Sequence, residues 1–384
     1  MQPQTIAQFL EFEEFKLANG KKLEKIQVAF ETYGKLNEQK DNAILVFHAL
    51  SGSAHLAGYN KDFEKECGFW TEENYRGWWD EFVGNSKLID TEKHFVICQN
   101  ILGGCYGTTG PASTNPKTGM PYGSLFPELE AEDIARLQKL VLERLGIEKL
   151  KAVIGSSLGG YLALEFAMLF GKQVEKVLII GSAAKTSNLN TLHNLEQIFA
   201  IENDPNYHDG DYYKNETPWK GLMLARMIAV KTYLDIDAIT ERAREEAVLP
   251  NDYFYNYKVA NPIESYLFHQ GKKFVKRFDA NTYLSIVKAL QKFNIPKKYG
   301  NESLAKAFER LKDWNIEFLI VSIDSDVCFY TEEQEELVKA LNSNGIKYRF
   351  ELVNSKKGHD SFLLEPEKYH FIKEFLESSK NHNG

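Results

Sequence analysis

Residues 152–171, AVIGSSLGGYLALEFAMLFG, constrain this chain more than any other stretch. An apolar run, Ala152-Val153-Ile154, leads into Gly155-Ser156-Ser157-Leu158-Gly159, and a helical pattern leads out. This is the strand–turn–helix context in which G-x-S-x-G places a serine on a sharp turn above a sheet. The flanking glycines let the backbone turn and approach its neighbours without a Cβ clash. Ser157 holds the central position, and Ser156 is only the variable residue before it. A membrane span needs about 20 predominantly apolar residues. Glu165, two serines and the glycines at 155, 159 and 160 interrupt this one, so it reads as a buried strand, a tight turn and a buried helix.

The rest of the chain fits around that unit. AILVFHA (43–49), HFVICQN (94–100), LKAVIG (150–155), KVLIIG (176–181), EFLIVSI (317–323) and RFELV (349–353) are short, nearly continuous apolar runs. Such runs suit strands buried on both faces of a parallel sheet. Residues 10–33 hold two alternating runs around Asn19-Gly20, the pattern of an antiparallel hairpin. Between the runs lie helical patterns. Residues 129–145 place Ile134, Leu137, Leu140, Val141 and Leu145 on one face, with Gly146 as the stop. Thr331 with Gln334 would form a capping box for a helix that Asn344-Gly345 ends.

Strand–helix alternation predicts an α/β fold, a mostly parallel sheet flanked by helices. Residues 187–311 break the alternation, with helical stretches at 221–234 and 238–247. The expected division is a core of residues 1–186 and 312–384 with a helical lid inserted at 187–311.

Composition removes several function classes. Lys+Arg total 46 and Asp+Glu total 54, a net charge of −8. That balance argues against sequence-independent nucleic-acid binding, which needs a basic surface. The N-terminal residues lack the basic and apolar regions of a secretory signal, and no stretch suits a membrane. Cys67, Cys98, Cys105 and Cys328 are widely spaced with no CxxC, which fits free thiols in a reducing compartment and gives no metal signature. The expectation is a cytoplasmic enzyme with no permanently bound cofactor.

A serine hydroxyl needs a base, itself oriented by an acid, and on such a fold the chain order is Ser, acid, His. Of the histidines after the last strand, His370 lies in a terminal helical pattern and His382 at the end of the chain. His359, in Lys357-Gly358-His359-Asp360, is the candidate base. The acid should follow the strand at 317–323, where Asp324 and Asp326 both stand, and spacing barely separates them. An oxyanion needs donors: the amide of Leu158, after the nucleophile, and one from the loop His48-Ala49-Leu50-Ser51-Gly52. Cys105 has no basic neighbour in sequence to lower its pKa and reads as a packed loop thiol. Tyr207, Tyr212, Tyr213 and Trp219 read as lid packing.

Longer segments carry a resemblance. Gly103-Gly104-Cys105-Tyr106-Gly107-Thr108-Thr109-Gly110-Pro111-Ala112-Ser113, Gly77-Trp78-Trp79-Asp80, Leu224-Ala225-Arg226-Met227, Glu264-Ser265-Tyr266-Leu267, Arg277-Phe278-Asp279-Ala280-Asn281 and Gly358-His359-Asp360, with the elbow, resemble the homoserine O-acetyltransferases of the α/β-hydrolase fold. The resemblance implies transfer of an acetyl group from acetyl-CoA to L-homoserine in methionine biosynthesis, by a homodimer joined through its lid. It implies Ser157 as nucleophile, His359 as base and Asp326 as acid. It also implies the amides of Leu50 and Leu158 as the oxyanion hole, and Arg226 and Asp360 as substrate-binding residues. Where the family usually reads Gly-Gly-Met-Gln, this chain has Gly159-Gly160-Tyr161-Leu162. Where it has an aromatic-Leu-Phe-Pro run, this chain has Val327-Cys328-Phe329-Tyr330. The competing expectations are a relative using succinyl-CoA or L-serine, an esterase with the same triad, and a non-catalytic binding protein.

Overall fold

The continuous apolar runs become strands buried on both faces. The computed structural model describes residues 5–245, 254 and 256–378. Its strands are β1 (Gln8–Lys16), β2 (Lys22–Tyr33), β3 (Ala43–Phe47), β4 (Val83–Gly84), β5 (Ile89–Asp90), β6 (Phe95–Gln99), β7 (Leu150–Ser156), β8 (Val174–Ile180), β9 (Glu317–Ile323) and β10 (Tyr348–Val353). β4 pairs only with β5. The other eight form one sheet in the order β1-β2-β6-β3-β7-β8-β9-β10, parallel from β6 to β10. Side chains alternate across each strand. Leu45, Val153, Val177 and Phe318 therefore enter one core layer, while Val46, Ile154, Leu178 and Leu319 enter the other. β1 and β2 form the expected antiparallel hairpin, with Gly20 alone of the Asn-Gly pair at positive φ (84°).

The helices are, in chain order, α1 (Ala131–Arg144) and α2 (Leu158–Phe170), then α3 (Asn188–Glu202), α4 (Trp219–Tyr233), α5 (Ile236–Glu245), α6 (Pro262–Val275) and α7 (Ala280–Gln291). The short α8 (Ile295–Gly300) and α9 (Leu304–Phe308) follow, then α10 (Thr331–Ser343), α11 (Ser361–Leu364) and α12 (Phe371–Glu377). α1, α2 and α10 cover one face of the sheet, and α12 with Trp79 and Phe82 covers the other. The described residues between β8 and β9 form α3–α9 and no strand. Part of the stretch at 238–247, residues 246 and 247, lies outside the described residues. The chain leaves the sheet and returns through a hydrogen-bonded neck: Thr186 N–H donates to the Phe293 carbonyl (3.1 Å) and Ile295 N–H to that of Ala184 (2.9 Å).

One sequence expectation is corrected. Thr331 and Gln334 do not form a capping box. The N-cap of α10 is Tyr330, whose N–H donates to the Glu333 carboxylate (3.0 Å). Thr331 Oγ1 instead meets Ser322 Oγ (2.8 Å), and Gln334 Nε2 donates to the Ser182 carbonyl (2.7 Å). Buried polar groups at the ends of β8 and β9 compete for these side chains, and leaving such groups unpaired costs about 1–3 kcal/mol each.

β3 pairs with β6 on one side and β7 on the other, so the loops leaving the carboxyl ends of these strands diverge. A crevice outside such a switch point is where open α/β sheets bind their ligands.

Candidate active site

Ser157 joins β7 to α2 with φ 55° and ψ −126°, a conformation an L-residue adopts only under constraint. The constraint is visible in two glycines. A Cβ on Gly155 would lie 1.9 Å from the Gly159 carbonyl oxygen, and one on Gly159 would lie 2.2 Å from the Phe47 carbonyl oxygen. The second contact seats the start of α2 directly on the end of β3. The Ser157 N–H donates to the Ile180 carbonyl (3.0 Å), and the Ser157 carbonyl accepts from Ser182 Oγ (2.7 Å). Ser156 ends β7 with its hydroxyl buried and without a partner among the described residues.

The two aspartates after β9 separate cleanly. Asp324 is taken up by the loop after β10, accepting from Asn354 Nδ2 (2.6 Å) and the Ser355 N–H (2.9 Å). Asp326 accepts the N–H groups of Cys328 (2.7 Å) and Phe329 (2.9 Å) on Oδ1 and meets His359 Nδ1 with Oδ2 at 2.6 Å. His359 sits in a short turn after β10, its ring stacked on Phe329 and edge-on to Phe362. Burial alone would lower its pKa, but the charge of Asp326 and the hydrogen bond to it, with Asp360 nearby, raise it above the usual imidazole value. With Nδ1–H held by the carboxylate, Nε2 carries the lone pair, and Nε2 is buried without a hydrogen-bond partner among the described residues. His370 is exposed, and His382 lies outside the described residues.

Two cavities meet at Ser157. The first, about 200 Å³, is lined by Ser157, His359, Asp360, Arg226, Arg277 and Trp78, among others. Arg226, on α4, lays its guanidinium over the rings of Phe274 (4.8 Å) and Tyr233 (5.2 Å), and its buried Nε has no partner among the described residues. Burial raises the Asp360 pKa, while His359, Arg226 and Arg242 pull it back. The second cavity, about 60 Å³, runs past Ser157 on the other side, between Tyr161, Phe329 and Leu290 and the α3 residues Asn190, His193, Asn194 and Gln197. Leu50 and Ser157 line both cavities. Leu158 is the first residue of α2, where backbone N–H groups have no intrahelical acceptor.

The remaining candidates are structural. Cys105 is buried, and burial pushes its thiol well above the usual range. In the same loop Thr108 and Thr109 hydroxyls accept the N–H groups of Ala29 (3.0 Å) and Gln27 (2.9 Å), fastening the loop to β2. Tyr212 and Tyr213 stack on each other and donate to Asp279, the N-cap of α7 (2.6 and 3.1 Å). Among the described residues no cluster of His, Cys, Asp or Glu could hold a metal, and no helix is long and apolar enough to cross a membrane. Sequence reasoning passed over Arg277, Trp78 and the polar face of α3. Arg277 and Trp78 lie within quoted segments that give them no role, and the sequence reading placed no helix over α3.

Fold and elbow together define the class: residues 42–366 match the family described as the alpha/beta hydrolase fold. The chain is 44% identical over 364 residues to the homoserine O-acetyltransferase of Methanococcus vannielii, covering 94% of this chain and 71% of that one. It is 42% identical over 369 residues to a homoserine O-succinyltransferase of Bordetella pertussis, covering 95% and 86%. Among solved structures it resembles homoserine O-acetyltransferase from Bacillus anthracis (TM-score 0.86, 25% identity, 98% of this chain and 99% of that one) and esterase E22 (TM-score 0.84, 28% identity, 97% and 100%). The chain belongs to the homoserine O-acetyltransferase family.

Proposed function

We propose that this protein transfers an acetyl group from acetyl-CoA to the hydroxyl of L-homoserine through an acyl-serine intermediate, a step of methionine biosynthesis. The observation that carries the reading is the pairing of Arg226 and Asp360 in one cavity with Ser157 and His359. Homoserine brings a carboxylate and an ammonium beside its hydroxyl. Burying both is costly unless each meets an opposite charge. A guanidinium can grip a carboxylate through two parallel N–H bonds, and Asp360, next to the base, suits the ammonium.

His359 Nε2 takes the Ser157 proton as Oγ attacks the thioester carbonyl, and Asp326 steadies the imidazolium. The amides of Leu50 and Leu158 hold the oxyanion. Collapse breaks the C–S bond, and His359 returns the proton to the departing CoA thiolate. The homoserine hydroxyl then gives its proton to Nε2 and attacks acetyl-Ser157. Collapse releases O-acetyl-L-homoserine, and the proton goes back to Ser157. The lid excludes water, which would otherwise hydrolyse the intermediate.

The preference for acetyl draws support from the second cavity. It is small, walled by Leu50, Tyr161, Leu290 and Phe329 near Ser157, and among the described residues no lysine or arginine lines it to meet a succinyl carboxylate. Tyr161, where the family usually has Met, stacks on Phe293 with ring centroids 4.2 Å apart. The succinyl reading rests on the Bordetella relative. A homodimer is supported by α3, which exposes Leu192 (58%), Leu195 (58%) and Phe199 (66%) on one face. The four free cysteines favour the cytoplasm.

The test is product identity. The protein is incubated with acetyl-CoA or succinyl-CoA and with homoserine or serine, and products are weighed. O-acetyl-L-homoserine as the main product is expected. Release of acetate alone would make it an esterase, and O-succinylhomoserine as main product would reassign the donor.

A further inference from the structure

The loop between β3 and the cavities is held from two directions. On the sheet side, Ile101 N–H donates to His48 Nε2 (3.2 Å), so Nε2 is the acceptor and Nδ1 bears the proton. Nδ1 meets the Ala49 carbonyl at 2.8 Å, and the Gly52 N–H donates to the same oxygen at 2.9 Å. No described peptide bond is cis. In a planar trans peptide the carbonyl and the N–H point in opposite directions. Fixing the Ala49 carbonyl toward His48 therefore directs the Leu50 N–H away from it, and Leu50 lines both cavities beside Ser157.

On the other side, Arg277 stands between α6 and α7. Its Nη1 donates to the Ser51 carbonyl (3.1 Å) and to Tyr106 Oη (2.8 Å), and the Tyr106 hydroxyl donates back to the Arg277 carbonyl (2.8 Å). The guanidinium also lies 5.1 Å from the centre of the Phe274 ring. The arginine is thus locked by a closed ring of bonds and by stacking, and its free end reaches the loop. Two peptide groups, Ala49–Leu50 and Ser51–Gly52, are set by two side chains from different parts of the chain.

We propose that His48 and Arg277 are positioning residues for the oxyanion hole, His48 aiming the Leu50 amide from the sheet and Arg277 pinning the Ser51–Gly52 peptide from the lid. The proposal rests on Ser157 as nucleophile and on no particular acyl donor or acceptor. Burial holds the His48 pKa near 4, so one neutral tautomer persists wherever His359 can act as a base. An oxyanion donor acts through its aim at the transition state, and losing one costs roughly 10²–10³ in kcat.

Two isosteres of a histidine edge separate aim from stability. Asn matches the Nδ1 position and Gln matches Nε2. His48→Asn keeps the bond to Ala49 and loses that from Ile101, while His48→Gln does the reverse. The readout is Ser157 acylation by p-nitrophenyl acetate, a neutral ester lacking both CoA and homoserine. His48→Gln should lower its kcat roughly 100-fold at nearly unchanged KM, while His48→Asn stays within about fivefold of the parent. Equal losses in the two variants would make His48 a packing residue and overturn the proposal. Arg277→Met should lower the same kcat by roughly 10-fold or more, with partial recovery in Arg277→Lys. If Arg277→Met leaves acylation intact and impairs only transfer to homoserine, the arginine binds substrate and its positioning role is wrong. p-Nitrophenolate release by the parent that is unchanged in Ser157→Ala would refute Ser157 as nucleophile, leaving no oxyanion for the loop to serve.

Discussion

On the sheet side of Ser157, the cavity-facing groups are tied down by bonds internal to the fold. Asp326 takes two backbone N–H groups and the His359 ring, and the Ala49 carbonyl takes two donors. On the lid side, Arg226 rests on two aromatic faces with Nε unpartnered among the described residues, and α3 turns Asn190, His193, Asn194 and Gln197 toward the cavity while Leu192, Leu195 and Phe199 face out. An ordinary surface helix has the reverse polarity. Under the proposed function, the contrast places the bond-making chemistry on the sheet side and the choice of occupant on the lid side. Substitutions of the catalytic groups on the first should abolish the reaction for every substrate, and those on the second, Arg277 with its bond to the β3 loop apart, should act on one substrate or on assembly.

The largest effect belongs to the elbow. Ser157→Ala should lower kcat by roughly 10⁴–10⁶, read as CoA release, while Ser156→Ala should change it little because that hydroxyl bonds nothing among the described residues. An acylated peptide at Ser156 would undo the assignment. Next, Asp326→Asn should cost about 10⁴ in kcat by favouring the wrong imidazole tautomer. Asp324→Asn should leave kcat within a few-fold and lower stability by about 1 kcal/mol, through its two bonds to the neighbouring loop. The base must be neutral to accept a proton, and its pKa is raised. Acylation should therefore fall as pH drops through an inflection above about 6.5, the ordinary imidazole value. In Asp326→Asn that inflection should move down. An unmoved inflection would mean that another group titrates.

On the lid side the effects are smaller and selective. Arg226→Ala should leave acylation by acetyl-CoA nearly intact and slow transfer to homoserine by roughly 10², about 2.7 kcal/mol. If both half-reactions decline together, the lid wall is part of the chemistry and the contrast fails. Phe199→Asp should change neither half-reaction more than a few-fold while converting dimer to monomer in sedimentation. A parent protein that is already monomeric would leave the α3 face without its proposed cover.

Legibility in the sequence follows the same divide. β-branched runs on strands buried on both faces announce themselves, and so does a glycine-flanked serine between strand and helix. The choice between Asp324 and Asp326 was not legible from spacing. Both follow one strand two residues apart, both accept backbone N–H groups, and only their direction differs. Thr331 and Gln334 matched a capping box, but Thr331 bonds back to Ser322 of the preceding strand and Gln334 reaches Ser182, far away in sequence. The sequence reading placed no helix over α3, whose inward face is polar and so lacks the usual apolar core stripe. His48 and Arg277 act on backbone carbonyls, and a carbonyl has no signature in the residue that bears it.

The dihedral angles of Ser157 carry a last consequence. Residues held in sparsely populated backbone regions cost of order 1–3 kcal/mol each. Glycine reaches positive φ freely, so Ser157→Gly should melt at a higher temperature than Ser157→Ala, although glycine pays more chain entropy at ordinary positions. If so, the residue proposed to carry the reaction is also one that costs the scaffold stability. A screen for thermal stability alone, run without an activity readout, would tend to select inactive molecules from this position.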